Sequence, residues 1–191
     1  CDLLVIDRKY IAKYWLSDEK AQAALRAECC RHALRKDRGI RDNNDTKLIQ
    51  GVLGTESFMS QLPMEKQVAV SHVLQLRDVE PGELICQQGD VGDCMYIIFW
   101  GDAEVYINSS NTSMLSTTET STGSGDLIDR RYGTHVATVE RGSALGEKSI
   151  YTGRKRDASI LCRNKTEVMR LDKADFDRIL KSMSHQIAFR P

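Results

Sequence analysis

The sequence predicts an α+β fold: N-terminal helices, a jelly-roll-like antiparallel β-roll, a short internal helix and a closing C-terminal helix. Three observations carry that prediction. Residues 8–37 are rich in Ala, Leu, Lys, Arg and Glu and contain neither Pro nor Gly. From Pro81 onward, short β-branched and aromatic runs alternate with Gly-containing turns. Finally, "KADFDRILKSMS", residues 173–184, places Phe176, Ile179, Leu180 and Met183 on one helical face.

Taken in order, Ser17-Asp18-Glu19 offers a helix start inside the first stretch, so residues 8–37 divide into two helices. "DRGIRDNND" then interrupts. A second helical stretch, 44–62, puts Leu48, Val52 and Leu53 on one face before Leu62-Pro63 breaks it. A third, 64–76, carries Val68, Val70, Val73, Leu74 and Leu76, so the first 76 residues read as mostly helical. The character changes at Val79-Glu80-Pro81-Gly82. Strands are expected at Leu84–Cys86, Met95–Trp100 and Ala103–Ile107, with Gly82, Gly89, Gly92 and Gly101 at the turns, where positive φ suits glycine. Residues 108–133, rich in Ser and Thr and without hydrophobic period, read as a long mobile hairpin insertion. Strand signal returns in "THVATVERG", "DASILCRN" and "TEVMRLD". The chain therefore divides into a helical extension, 1–44, and a main domain, 45–191.

Bulk properties exclude several function classes. With 27 basic and 27 acidic residues, the 191-residue chain has no general attraction for nucleic acid or anionic membrane. No run approaches the roughly 18 apolar residues of a membrane-spanning helix. The chain starts at Cys1 with no signal peptide, and so reads as part of something longer. Its six cysteines include no CxxC pair and its four histidines are scattered, against zinc spacing and against a disulfide framework. That usage points to a reducing, cytoplasmic compartment. The N-x-S/T triplets at Asn108, Asn111 and Asn164 read as chance. Trp15, Trp100 and Phe176 read as core or interface aromatics, and Cys29-Cys30 as half-buried packing. His72, His135 and His185 lack partners that would make a catalytic set.

The stretch with chemical content is "GEKSIYTGRKRDAS", residues 146–159. Residues 147–151 can make one helical turn whose first N–H groups point outward and favour an anion. Arg156 can return from the next strand and grip two phosphate oxygens in bidentate fashion. Glu147 repels phosphate but accepts hydrogen bonds, which suits a hydroxyl beside it, as in a ribose joined to a compact phosphate. On spacing alone, a helix-capping Glu and a solvated strand Arg account for the same residues.

The order of features is more specific. "PGELICQQGDVGDCMYIIFWGDAEVY" followed by "ALGEKSIYTGRKRDASI" resembles the cyclic-nucleotide-binding domain family, over roughly residues 45–183. That family shows a G-E-x-hydrophobic run, a G-D/E-x-G turn and an aromatic-aliphatic strand ending in Gly. Its phosphate-binding cassette then has Gly-Glu and an arginine nine residues after the Glu. Gly146-Glu147, Arg156 and Ala158-Ser159 fall in those slots. The resemblance implies that Glu147 binds the ribose 2′-hydroxyl and Arg156 the cyclic phosphate. It implies too that the Lys148 and Ser149 amides cradle that phosphate, with Asp157, Ala158 and Ser159 on the same wall. The leader and tail look most like the domains of Rap-type guanine nucleotide exchange factors, with the regulatory subunit of cAMP-dependent protein kinase more distant.

Three departures stand out. Asp157 follows the arginine where cAMP binders commonly have Ala and cGMP binders Thr or Ser. Lys148 replaces a hydrophobic residue, and "TGRKR" replaces a frequent Thr-Pro. A carboxylate near a phosphate costs affinity; Lys148, Arg154 and Lys155 restore positive charge. The implied function is a non-enzymatic regulatory domain binding cAMP, in preference to cGMP, with no further cofactor or metal. Its partner would be an effector such as a kinase catalytic subunit or a small-GTPase exchange domain, reached by motion of the helix at 172–183. In the family a further C-terminal helix caps the base; this chain stops at Pro191, about where that lid would begin. The alternative is a module of the same fold that binds proteins without nucleotide. A cupin-type metal enzyme ranks below both because no H-x-H pair is present.

Overall fold

The computed structural model describes residues 18–54, 56, 58–108 and 131–181. Asp18 opens the first helix, α1 (Glu19–Arg35), its carboxylate accepting the Lys20 N–H at 2.9 Å. This is the internal start that Ser17-Asp18-Glu19 predicts; the expected preceding helix and Trp15 lie outside the described residues. The punctuating segment folds as a 3₁₀ turn, Arg38–Ile40, and a reciprocal Asp42/Asp45 capping box starts α2 (Asn43–Leu53). The stretch 44–62 is therefore not one helix. It stops at Gly54, where any Cβ would lie 2.8 Å from Gln67 Oε1, and resumes only as the 3₁₀ turn Met59–Gln61. Helix α3 (Met64–Val73) likewise ends before the expected Leu76. Leu76 belongs to β1 (Gln75–Val79) because it pairs with Met169 across a sheet, so the β region begins ahead of Pro81. On α3, Val70 and Val73 are buried, whereas Val68, expected on the apolar face, is exposed.

The strands that follow are β2 (Leu84–Cys86), β3 (Cys94–Trp100), β4 (Asp102–Ile107), β5 (Thr134–Glu140), β6 (Ala144–Leu145), β7 (Ser159–Leu161) and β8 (Thr166–Asp172). Between β6 and β7 lies the short helix α4 (Glu147–Thr152), and α5 (Lys173–Ile179) follows β8. The antiparallel sheets run β1-β8-β3-β6 and β2-β7-β4-β5, the β-roll of the α+β prediction. The predicted insertion falls almost wholly outside the described residues, as do His185 and Met183. Gly82, Gly89 and Gly101 have positive φ as expected; Gly92 does not, and serves by close approach instead.

Two apolar clusters share the first sheet. Met95, Ile97 and Phe99 of β3 point toward the helices, meeting Leu34, Ile49, Met169 and Phe176. Cys94, Tyr96 and Ile98 point into the roll with Ile85, Leu145, Ile160 and Val168. A strand buried on both faces reads as an unbroken apolar run, hence "CMYIIFW". Trp100 ends that run exposed rather than in a core. Helix α1 is fastened to the sheet by Arg31, whose Nε donates to Glu167 at 2.7 Å while its guanidinium lies over Phe99. Buried Arg41 gathers the C-terminal carbonyls of two helices, donating to Ala33 and Leu34 of α1 and to Ser71, His72 and Leu74 at the end of α3. Cys30 is buried but its neighbour Cys29 is exposed, so the pair is split between core and solvent.

Candidate functional site

A cavity of about 550 Å³ opens on the roll beside α4. Its apolar side comes from Val105 and Ile107 of β4, Val136 and Val139 of β5, and Ile160 of β7. Its polar side is the segment singled out in the sequence: Gly146, Glu147, Lys148, Ser149, Arg156, Asp157 and Ala158 all line it. Ser159 does not. Its buried hydroxyl accepts the Gln88 N–H at 3.0 Å and so holds the wall from behind. Arg154 and Lys155 are exposed and outside the lining, so they add no direct contact.

The local fold explains how residues nine apart meet. Gly146, at φ 78°, turns the chain from β6 into α4. A side chain there is excluded, since a Cβ would lie 2.0 Å from Arg156 Nη1. Gly153, also left-handed, ends the helix, and the chain returns antiparallel to the 89–94 loop. There Arg156 N–H donates to Asp90 O at 2.8 Å, the Gly89 N–H donates to Arg156 O at 2.9 Å, and Val91 bridges Lys155. "GDVGDC" and the stretch 146–159, distant in sequence, are thus one structural unit. Gly92 completes it by pressing on Ser149: a Cβ added at Gly92 would sit 2.2 Å from Ser149 Oγ. Gly92→Ala should therefore displace α4 and cost about 1 kcal/mol or more by overpacking, seen as a lower melting temperature; an unchanged melt would show the contact to be slack.

Glu147 and Arg156 are both buried, at 8% and 5% exposure, in a site that opens to solvent. Burial pushes the Glu147 carboxyl above its ordinary value, against the pull of its own backbone N–H and the Lys148 and Arg156 charges. Arg156 is held from several sides. Nη1 donates to Gly146 O and to Ser149 Oγ, each at 2.7 Å, and Nη2 donates to Cys94 O at 2.6 Å. The bidentate grip expected of Arg156 is therefore not open through free η donors. A buried guanidinium has to satisfy its N–H groups, and these acceptors are the nearest. Among the described residues its Nε has no acceptor. Lys148 and Asp157 are exposed at the cavity lining, and no ion pair joins them among the described residues.

The first N–H groups of α4, those of Lys148 and Ser149 among them, have no intrahelical acceptor. At the far end, Lys173 at the start of α5 donates from Nζ to Ile150 O at 2.9 Å, tying α4 to the closing helix. The sequence singled out neither Lys173 nor the apolar wall. Alternation in β4 and β5 marks inward faces but not the end of the roll at which a cavity opens.

A family model described as the cyclic nucleotide-binding domain matches residues 76–183, which takes in the whole unit just described. The chain belongs to the cyclic-nucleotide-binding domain family. Among relatives of this domain, the cAMP-dependent protein kinase regulatory subunit of Blastocladiella emersonii is 24% identical over 69% of this chain and 28% of its own length. The chain thus spans less than a third of that subunit. The regulatory domain of Toxoplasma gondii PKA, solved with cAMP, superposes with a TM-score of 0.58 at 17% identity, covering 75% of this chain and 48% of that one. The regulatory subunit of a cAMP-independent protein kinase A from Trypanosoma brucei gives 0.59 at 17% identity, covering 76% and 48%. These two structural likenesses are ones of fold. No helix among the described residues of this domain is long and apolar enough to cross a membrane.

Proposed function

We propose that this chain is a regulatory module that binds a cyclic nucleotide, cAMP in preference to cGMP, and passes the event to an effector. The observation that carries the reading is the convergence of Glu147, Arg156 and the start of α4 on one side of a cavity whose other side is apolar. A purine suits the wall of Val105, Val136, Val139 and Ile160. A ribose hydroxyl suits the buried Glu147 carboxylate, and a single-charged phosphate suits the α4 amides beside Arg156. In this reading residues 45–191 form the binding unit and residues 1–44 a helical arm. Ser159 supports the wall without touching the ligand. The Lys173 bond to Ile150 O gives a route by which a shift of α4 moves α5. Ligand preference for one arrangement of the two helices would then change what an effector meets, whether a kinase catalytic subunit or an exchange domain, and no catalysis by the chain itself is required.

Isothermal titration with cAMP and with cGMP tests the proposal; no heat with either at high micromolar concentration would overturn it. A second reading, a protein-binding module that takes no nucleotide, is favoured by the engaged η donors of Arg156 and by Asp157. Asp157→Ala separates the two further. Removing an exposed carboxylate at the lining should tighten a phosphate-bearing ligand about threefold at low salt, less at high salt. Unchanged affinity would show that Asp157 faces solvent.

A further inference from the structure

Ser149 is buried where α4, the 89–94 loop and Arg156 meet, yet neither the family resemblance nor the proposed function gives its hydroxyl a role. Its donor and acceptor uses are separable. Oγ–H donates to Gly146 O at 2.8 Å, one turn back. The same oxygen accepts from Arg156 Nη1 at 2.7 Å. With its proton committed to Gly146, the hydroxyl presents a lone pair to the guanidinium, as an anion oxygen would. It sits on the third residue of α4, next to the amides that favour an anion. An anion brought to those amides and to Nη1 meets an acceptor already in place.

We infer that the Ser149 hydroxyl is an internal competitor for Arg156, so that an anionic ligand gains the Nη1 donor by displacing it; this rests on the proposed reading of the cavity as a cyclic-nucleotide site. Two features make the competitor a built one. Gly92 packs against Ser149 so closely that a Cβ there would meet both Oγ and Cβ, at 2.2 and 2.6 Å, which closes that side to rotation. The guanidinium is itself pinned by Gly146 O and Cys94 O, so it cannot swing away to a ligand and leave the serine behind. Ser149 therefore sets affinity for the phosphate and leaves the base and ribose contacts alone.

The test is titration of the unaltered chain, Ser149→Ala and Ser149→Gly with cAMP and with adenosine, the nucleoside that lacks the phosphate. Both variants remove the acceptor, and alanine keeps the Cβ that packs on Gly92, so a failure of one to fold leaves the other. The expected result is about tenfold tighter cAMP binding, equivalent to about 1.4 kcal/mol, with adenosine affinity unchanged. Weaker or equal cAMP binding by the variants, with the unaltered chain binding, would overturn the inference and make Ser149 a positioning residue for Arg156. An equal gain for adenosine would also overturn it, because the cavity's shape and not an exchange at Nη1 would be the cause. Absence of cAMP binding by all three proteins would instead defeat the cyclic-nucleotide reading and this inference with it.

Discussion

Arg156→Ala should lower cyclic-nucleotide affinity by about 2–5 kcal/mol, as for a buried charge pair losing one partner, and should lower the melting temperature with it. The two losses have one origin. The guanidinium joins Gly146 O, Ser149 Oγ and Cys94 O, so it holds the start of α4 against β3 before any ligand contact is considered. Alanine takes a donor from the buried Cys94 carbonyl, at about 1–3 kcal/mol where water cannot reach it, while Gly146 O keeps the Ser149 hydroxyl. Arg156→Lys keeps the positive charge but not the planar fork that reaches Gly146 and Cys94 together. It should recover part of the affinity and little of the thermal stability. Calorimetric titration beside thermal unfolding reads both; affinity unchanged in the alanine variant would remove Arg156 from the site.

Glu147→Gln should raise the melting temperature at neutral pH while costing about 2 kcal/mol of affinity, the scale of a hydrogen bond to a charged group. Burial raises the folded-state value of this carboxyl, so the folded chain holds the proton more tightly than the unfolded one. Its contribution to stability is then present at low pH and lost as pH rises through the raised value. Above that value the ionised carboxylate is a cost, which glutamine removes. The gain in melting temperature should shrink as pH is lowered through the raised value and vanish below the ordinary carboxylate range, where the wild-type side chain is protonated in both states. Ligand affinity runs the other way. In the proposed reading the ribose contact needs the carboxylate, so wild-type affinity should fall on acidification starting above the ordinary carboxylate value, and the glutamine variant should lack that limb. Lower stability of Glu147→Gln at neutral pH would mean that the carboxylate is satisfied rather than strained.

Legibility in the sequence follows the kind of force involved. Strands β2, β3 and β4 are bounded by Gly turns and composed of β-branched and aromatic residues, and sequence reasoning places them within a residue of their observed ends. Local capping was readable at Asp18. The ends of α2 and α3 were not, because α2 stops where Gly54 meets Gln67, and Leu76 is drawn into a strand by Met169, far along the chain. At the site, the spacing of Gly146, Glu147 and Arg156 within a recurrent order of motifs was legible. The direction of the guanidinium was not: its acceptors include Cys94, one residue ahead of the strand predicted at Met95–Trp100, where nothing in the sequence marks an acceptor. Ser159 shows the same limit, since its hydroxyl serves Gln88, which no local pattern pairs with it.

Up to Phe99, strand β3 has no face left for water, and that bears on its register. In a half-exposed strand, a slip by one position is penalised by putting polar groups inside and apolar groups outside. Here both sides are apolar apart from the Tyr96 hydroxyl, so polarity offers little such check. What distinguishes the correct alignment is volume. A slip would send Met95, Ile97 and Phe99 into the interior of the roll and put Cys94, Tyr96 and Ile98 on the helical side. Substitutions that even out the sizes along this strand, such as Phe99→Val together with Cys94→Ile, would keep both sides apolar and yet weaken the size difference that tells one alignment from the other.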